Sequence, residues 1–175
     1  IIGGGIVGAA ALEMASNQNI NTLLAEKNDF SSGASSRSTK LLHGGIRYLP
    51  QMQFGLVRES LQEQKVLKNL LGDLYKPLDL VTPIYKDDGF ADLPKLFQLN
   101  NFASAVFNFG LSVYDFLGSR RKSEKHQSIT KEETISMFPY IKKEKLKKSF
   151  LFRDAQTDDA KLVLTLLRNA VEVNQ

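Results

Sequence analysis

The chain has no cysteine and no tryptophan, and only two histidines, His43 and His126, among its 175 residues. Without cysteine there is no disulfide framework and no thiolate-held zinc or iron–sulfur cluster, so any electron-transfer chemistry has to come from a bound group. Two histidines are too few for a multi-histidine metal centre, and no metal site is expected. There is no run of 18 apolar residues and no basic-then-apolar opening of the kind that marks a secretory signal. What is present is 42% hydrophobic and 24% charged, enough to bury a core and unlike a disordered polyelectrolyte.

The formal charge of +4 is unevenly placed. Residues 118–148 carry ten Lys or Arg against four Glu, a local +6, whereas residues 1–117 and 149–175 each come to −1. Most of the chain is near neutral and one segment is strongly basic. The chain opens Ile1-Ile2-Gly3 without methionine, shorter than the five or so residues of an ordinary strand, and it closes within a helical pattern. These features are expected of a fragment of a longer protein, one that would not turn over alone.

Gly3-x-Gly5-x-x-Gly8 runs into the helix-forming stretch of residues 9–15, broken by Asn17-Gln18-Asn19, and residues 21–26 read as a second strand. This is the βαβ dinucleotide fingerprint, with the acidic Glu26 placed 18 positions after the third glycine. Gly3 permits a tight turn, Gly5 lets backbone approach a pyrophosphate, and Gly8 lets helix and strand pack closely. An anion then sits at the helix N-terminus, where free N–H groups and the dipole favour it. Glu26 can accept from both ribose hydroxyls, and its charge disfavours a 2′-phosphate.

A loop rich in hydroxyls and backbone N–H groups follows, Ser31-Ser32-Gly33-Ala34-Ser35-Ser36-Arg37-Ser38-Thr39-Lys40, suited to a phosphate or polyol chain. It leads into Leu41-Leu42-His43-Gly44-Gly45-Ile46-Arg47-Tyr48-Leu49. His43 is a base near neutral pH, Gly44-Gly45 allows close approach to a planar ligand, Arg47 offers a fork for phosphate, and Tyr48 adds a hydroxyl. Against these stand ordinary structural roles, such as Arg47 pairing with Glu59 or Glu63.

Residues 32–49, with SSRSTKLLHGGIRYL at their centre, closely resemble the FAD-dependent glycerol-3-phosphate dehydrogenases and the related glycerophosphate oxidases. The resemblance continues through Leu80-Val81-Thr82-Pro83-Ile84-Tyr85-Lys86, Val113-Tyr114-Asp115-Phe116-Leu117-Gly118 and Asp158-Asp159-Ala160-Lys161-Leu162. It implies an α/β, Rossmann-type FAD-binding domain, here incomplete, with part of a substrate-binding region. It also implies oxidation of sn-glycerol 3-phosphate to dihydroxyacetone phosphate, with hydride passing to flavin N5 and electrons to quinone or oxygen. By position, Gly3, Gly5, Gly8 and Glu26 match contacts to the ADP half of FAD, and Ser35, Ser38 and Lys40 match the loop along its pyrophosphate and ring. His43, Arg47 and Tyr48 match the substrate side, with Arg47 and Tyr48 on the phosphate and His43 taking the C2 hydroxyl proton. Two positions depart from the family: Ala34 stands where Thr is common, and Lys161 where Arg is usual.

The division expected is a FAD-binding segment with the substrate motif over 1–78, an inserted substrate or cap segment with a membrane-facing part over 79–148, and a return to the FAD-binding domain over 149–175. Residues 56–71 read as an amphipathic helix ending at Gly72, residues 79–86 and 150–152 as strands, Asp87-Asp88-Gly89 as a turn, and residues 159–169 as a helix capped by Asp158. Residues 93–117 hold Leu96, Phe97, Phe102, Val106, Phe107, Phe109, Val113, Phe116 and Leu117, followed by Arg120-Arg121-Lys122. They fit either a core helix or a lipid interface beside a basic cluster. The expected location is peripheral, on the cytoplasmic face of a bacterial membrane or on the mitochondrial inner membrane, and the full-length protein is expected to be a homo-oligomer. Nucleic acid is not an expected partner, because no recognition motif accompanies the basic run. Two other readings stay open: another FAD-dependent amine or hydroxy-acid oxidoreductase, and a non-catalytic membrane-surface-binding fragment.

Overall fold

Residues 1–49, 51–86, 103–119 and 122–172 are described by the computed structural model. They fall into two units: Ile1–Leu42, Leu67–Lys76 and Gln156–Gln175 form the first, His43–Val66 and Pro77–Ala155 the second.

In the first unit, α1 (Ile6–Asn17) packs against α5 (Asp159–Glu172). The α1 helix ends where the sequence breaks pattern. Asn19 takes a left-handed φ of 56°, the Ile20 N–H reaches the Ala15 carbonyl at 3.0 Å, and the Asn19 N–H reaches Ser16 at 2.9 Å. This is a Schellman ending with Asn where Gly is usual. The α5 helix starts as expected, with Asp158 Oδ1 accepting the Lys161 N–H at 3.1 Å. Its Leu162, Val163 and Leu166 are buried with Ala9 and Leu71.

The strand expected over residues 21–26 is reduced to a single parallel bridge between Ile2 and Ala25. Two bonds make it: Gly3 N–H to the Ala25 carbonyl at 2.8 Å and Ala25 N–H to the Ile1 carbonyl at 3.0 Å. The ladder is as short as the two residues that precede the first glycine.

In the second unit, α2 (Phe54–Leu71, its last turns belonging to the first unit) contributes Val57 and Leu61 to a core with Leu49 and Tyr114. The helix stops at Gly72, whose φ of +50° suits a residue without Cβ. Strand β2 (Lys76–Tyr85) lies beside β4 (Leu146–Gln156), and Arg153 grips Asp79 between them with donors at 2.6 and 3.2 Å. Strand β3 (Gln127–Thr130) pairs antiparallel with β4, Ser128 opposite Phe150 and Thr130 opposite Lys148. The short α4 (Lys131–Met137) follows through a capping box, in which Thr130 Oγ1 accepts the Glu133 N–H and the Glu133 carboxylate accepts the Thr130 N–H. A two-residue strand, β1 (Leu41–Leu42), precedes His43.

The described part of the aromatic segment has a buried side and an exposed one. In α3 (Ala103–Leu117), Phe107 packs on Phe150 with ring centroids 5.5 Å apart and Leu111 is fully buried. Phe109 and Phe116, two turns apart on the same helix, are 69% and 82% exposed. Residues 87–102, with Leu96, Phe97, Phe102 and the Asp87-Asp88-Gly89 turn, lie outside the described residues, as do Arg120 and Arg121.

Candidate functional site

The glycine turn of the first unit is built by backbone geometry. Gly3 holds a φ of +106°, a conformation costly for any residue with a Cβ. At Gly8 a Cβ would run into the Gly3 carbonyl oxygen and lie 3.1 Å from its carbon, so helix and strand approach only because the side chain is absent. Gly5 is the N-cap of α1, and the Ser35 hydroxyl accepts the Ile6 N–H there at 2.9 Å. A Cβ on Gly5 would reach within 3.0 Å of Ser35 Oγ. Gly4 carries a constraint that the fingerprint does not include: Phe30 packs against it, and a Cβ would meet Phe30 Cδ1 at 2.5 Å.

Glu26 sits at this turn. Its Oε2 accepts the Gly4 N–H at 2.6 Å and its Oε1 accepts Asn28 N–H at 2.9 Å. Those bonds, Gly4's first, hold the carboxyl below its usual range, so it is ionised at neutral pH. Each carboxylate oxygen has a second lone pair to offer a ribose hydroxyl.

The hydroxyl-rich loop is tied down at its far end by a residue assigned only a packing helix from sequence. Asp159 Oδ2 accepts the Ser38 hydroxyl at 2.8 Å and the Ser38 N–H at 3.1 Å, while Lys40 Nζ lies 3.8 Å from Oδ1. The Ser38 hydroxyl is the main cause that lowers the Asp159 pKa, with lesser help from backbone N–H groups and Lys40. Thr157 N–H closes on the Lys40 carbonyl at 2.9 Å. Ser38 and Lys40 are thereby held to the start of α5. A capping pattern with two consecutive aspartates was the only local signal for this role.

In the second unit, His43, Arg47 and Tyr48 come from one turn. Gly45 has a φ of 72° and opens a 3-10 turn over Ile46–Tyr48. Arg47 is exposed, its Nη2 donates to Tyr48 Oη at 2.8 Å, and the guanidinium carbon stands 4.9 Å from the Tyr48 ring centroid. Among the described residues it pairs with no carboxylate, so the alternative of Glu59 or Glu63 as its partner is not realised. His43 is exposed and its Nδ1 accepts the Gly45 N–H at 3.1 Å. A neutral imidazole has one lone-pair nitrogen, so in this arrangement Nε2 carries the proton.

The Gly44-Gly45 pair is constrained by the protein itself. A Cβ on Gly44 would strike Leu61 and lie 2.5 Å from the Tyr114 hydroxyl, and one on Gly45 would lie 2.7 Å from the Tyr48 ring. Protein packing, with no ligand needed, accounts for both glycines.

The parallel bridge, the glycine turn at the start of α1 and the acid beside it make a dinucleotide-binding βαβ unit. The chain belongs to the FAD-dependent oxidoreductase family, whose profile matches residues 1–174. It is 36% identical over 172 residues to the aerobic glycerol-3-phosphate dehydrogenase of Staphylococcus epidermidis and 37% identical to that of Staphylococcus aureus. Each alignment covers 98% of this chain and 29% of the relative, so the chain spans under a third of the length of these proteins. Among solved structures it is similar to the FAD-complexed glycerol-3-phosphate dehydrogenase of Bacillus halodurans, with a TM-score of 0.64 and 26% identity over 98% of this chain and 24% of that one.

The residues present fit the group that the family name implies. Gly3 makes the tight turn, Gly8 the close helix–strand approach and Gly5 the N-cap of α1, the helix end that suits a pyrophosphate; Ser35 stands beside it, and Glu26 is ionised at the turn. Among the described residues no group of three His, Asp or Glu is arranged to hold a metal ion.

Proposed function

We propose that the protein oxidises sn-glycerol 3-phosphate to dihydroxyacetone phosphate. The observation that carries this reading is the exposed Arg47 guanidinium, oriented by the Tyr48 hydroxyl and paired with no carboxylate among the described residues. The names of the relatives support it. A fork of N–H donors next to a phenol hydroxyl suits a dianionic phosphate. His43 then meets the C2 oxygen: its acceptor nitrogen Nδ1 exchanges the Gly45 N–H for the C2 hydroxyl, and the loss of that hydroxyl proton is what loosens the C2–H bond. FAD, when bound, supplies the acceptor of that hydride, and quinone or oxygen takes the electrons onward. Glu26, Ser35 and the glycine turn hold the ADP half, while Ser38 and Lys40 line the loop that Asp159 anchors.

The test is anaerobic addition of substrate to the full-length flavoprotein. Glycerol 3-phosphate is expected to bleach the oxidised flavin band within the dead time of manual mixing. Bleaching by glycine or lactate, without bleaching by glycerol 3-phosphate, would sink the proposal and favour an amine or hydroxy-acid oxidoreductase.

The proposal extends to location, a peripheral attachment to an anionic membrane, and to a homo-oligomer as the working state. Phe109 and Phe116 on the outer face of α3, near the exposed Lys122 and Lys125, support the membrane part. Among the described residues no helix is long and apolar enough to cross a membrane. In flotation, the full-length protein is expected to rise with phosphatidylglycerol vesicles at low salt and to stay behind with phosphatidylcholine. Failure to rise with either lipid refutes the attachment.

A further inference from the structure

Tyr114 has no role in the reading above, yet it touches the turn that presents His43 and Arg47. Its side chain is fully buried on α3, and its hydroxyl works in two directions. It accepts the Gly44 N–H at 2.8 Å and donates to Asp154 Oδ1 at 2.8 Å. The first direction is forced, because a backbone N–H only donates, and the hydroxyl's own proton is then left for Asp154 Oδ1. Asp154, on β4 and 3% exposed, also receives Gln64 Nε2 from α2 at 3.2 Å. All of these groups lie in the second unit.

The turn rests directly on this hydroxyl. Gly44 has no room for a Cβ because Tyr114 and Leu61 occupy the space. The very next N–H in the chain, that of Gly45, is the one that orients the His43 ring through Nδ1. One residue further on begins the turn that carries the Arg47–Tyr48 pair. A phenylalanine would fill the same pocket between Val57, Leu61 and Phe152 with less desolvation, but it would leave the buried Gly44 N–H without its acceptor. The polar chain from Asp154 to Gly44 therefore has a cost that packing alone does not explain.

We propose that Tyr114, held by Asp154, is a positioning residue for the oxidation: it seats the Gly44-Gly45 turn and so fixes the orientation of His43 toward the substrate. It does not touch the reacting atoms. The inference rests on the reading of His43 as a substrate-side residue, and its test separates the two.

The rate of flavin reduction by glycerol 3-phosphate, per flavin bound, is measured by stopped flow in full-length holoprotein. The variants are Tyr114→Phe, His43→Asn and the pair together. Tyr114→Phe is expected to slow reduction about tenfold, the equivalent of ~1.4 kcal/mol for one buried hydrogen bond. Added to His43→Asn, it is expected to slow reduction less than about twofold, because residues acting as a unit do not lose their effects independently. A merely structural tyrosine would lower the melting temperature and leave the rate per bound flavin unchanged, which overturns the proposal. Equal losses in both backgrounds overturn it too. Wild-type reduction in His43→Asn alone overturns the reading of His43 and the proposal with it. Should Tyr114→Phe fail to hold flavin, Asp154→Asn keeps the shape and still accepts from the hydroxyl. It is expected to lose roughly threefold by exchanging the carboxyl acceptor for an amide, again only with His43 present, and an unchanged rate there overturns the proposal.

Discussion

Full-length protein carrying Gly8→Ala is expected to purify without flavin. The added methyl meets the Gly3 carbonyl oxygen, which is backbone and has nowhere to retreat, since the neighbouring Gly3 N–H is bonded to the Ala25 carbonyl at 2.8 Å. Relief comes by moving the first turn of α1 away from residues 1–3. Overpacking of this kind costs about 1–3 kcal/mol, so most of the protein should remain folded with a lower melting temperature.

The larger consequence is for the anion site. The N–H groups at the α1 N-terminus bind phosphate only when they stand over the glycine turn, and Ser35 shares that spot through its bond to Ile6. A displaced helix spoils both together. The flavin-to-protein absorbance ratio after gel filtration is the measurement. Gly55→Ala is the control, because a Cβ there meets nothing within 4 Å and the residue lies in α2, a helix that alanine suits. Stoichiometric flavin in Gly8→Ala, or equal losses in the two variants, would mean that the close helix–strand approach is not what the cofactor requires.

This part of the molecule was readable from sequence because the constraints are local. Gly3 is demanded by its dihedral and Gly8 by a contact within eight residues of chain, and Gly72 by a single positive φ. The cap of α5 is likewise settled by Asp158 and the N–H three residues later. What escaped the reading has partners far away. Asp159 anchors Ser38 across 121 residues, and Tyr114 meets Gly44 and Asp154 across 70 and 40. No spacing rule connects such positions, since the fold alone brings them together. The Gly44-Gly45 pair shows a subtler failure. Its glycines were correctly marked as sites of close approach, but the approaching groups are Leu61, Tyr114 and Tyr48, because a missing Cβ says nothing about what fills its place. The strand over 21–26 failed for another reason: its residues have the right propensity, but a ladder reaches only as far as its partner, here Ile1 to Gly3. Strand β3 was passed over because Ile129 is its only apolar residue, and α4 beyond it went unread too, although Thr130 and Glu133 form a capping box.

Arg47→Ala is expected to lower kcat/KM for glycerol 3-phosphate about 10²-fold, the equivalent of ~3 kcal/mol for a pair of charge-assisted hydrogen bonds. The loss should fall mainly on KM, because the phosphate is bound alike in ground and transition states. The Arg47 guanidinium is set for this by Tyr48, whose hydroxyl accepts from Nη2 at 2.8 Å and whose ring lies under the cation. Tyr48→Phe keeps the ring and removes the acceptor, so a loss of only about fivefold is expected. Arg47→Lys should fall between the two, since an ammonium keeps the charge but not the planar fork. The decisive comparison uses glycerol itself, which lacks the phosphate. If Arg47 binds phosphate, Arg47→Ala leaves the slow oxidation of glycerol as it was and narrows the preference for glycerol 3-phosphate by the same 10²-fold or so. Equal losses on both substrates would instead mean that Arg47 supports the turn around His43, and the phosphate assignment would then have to move to another cation.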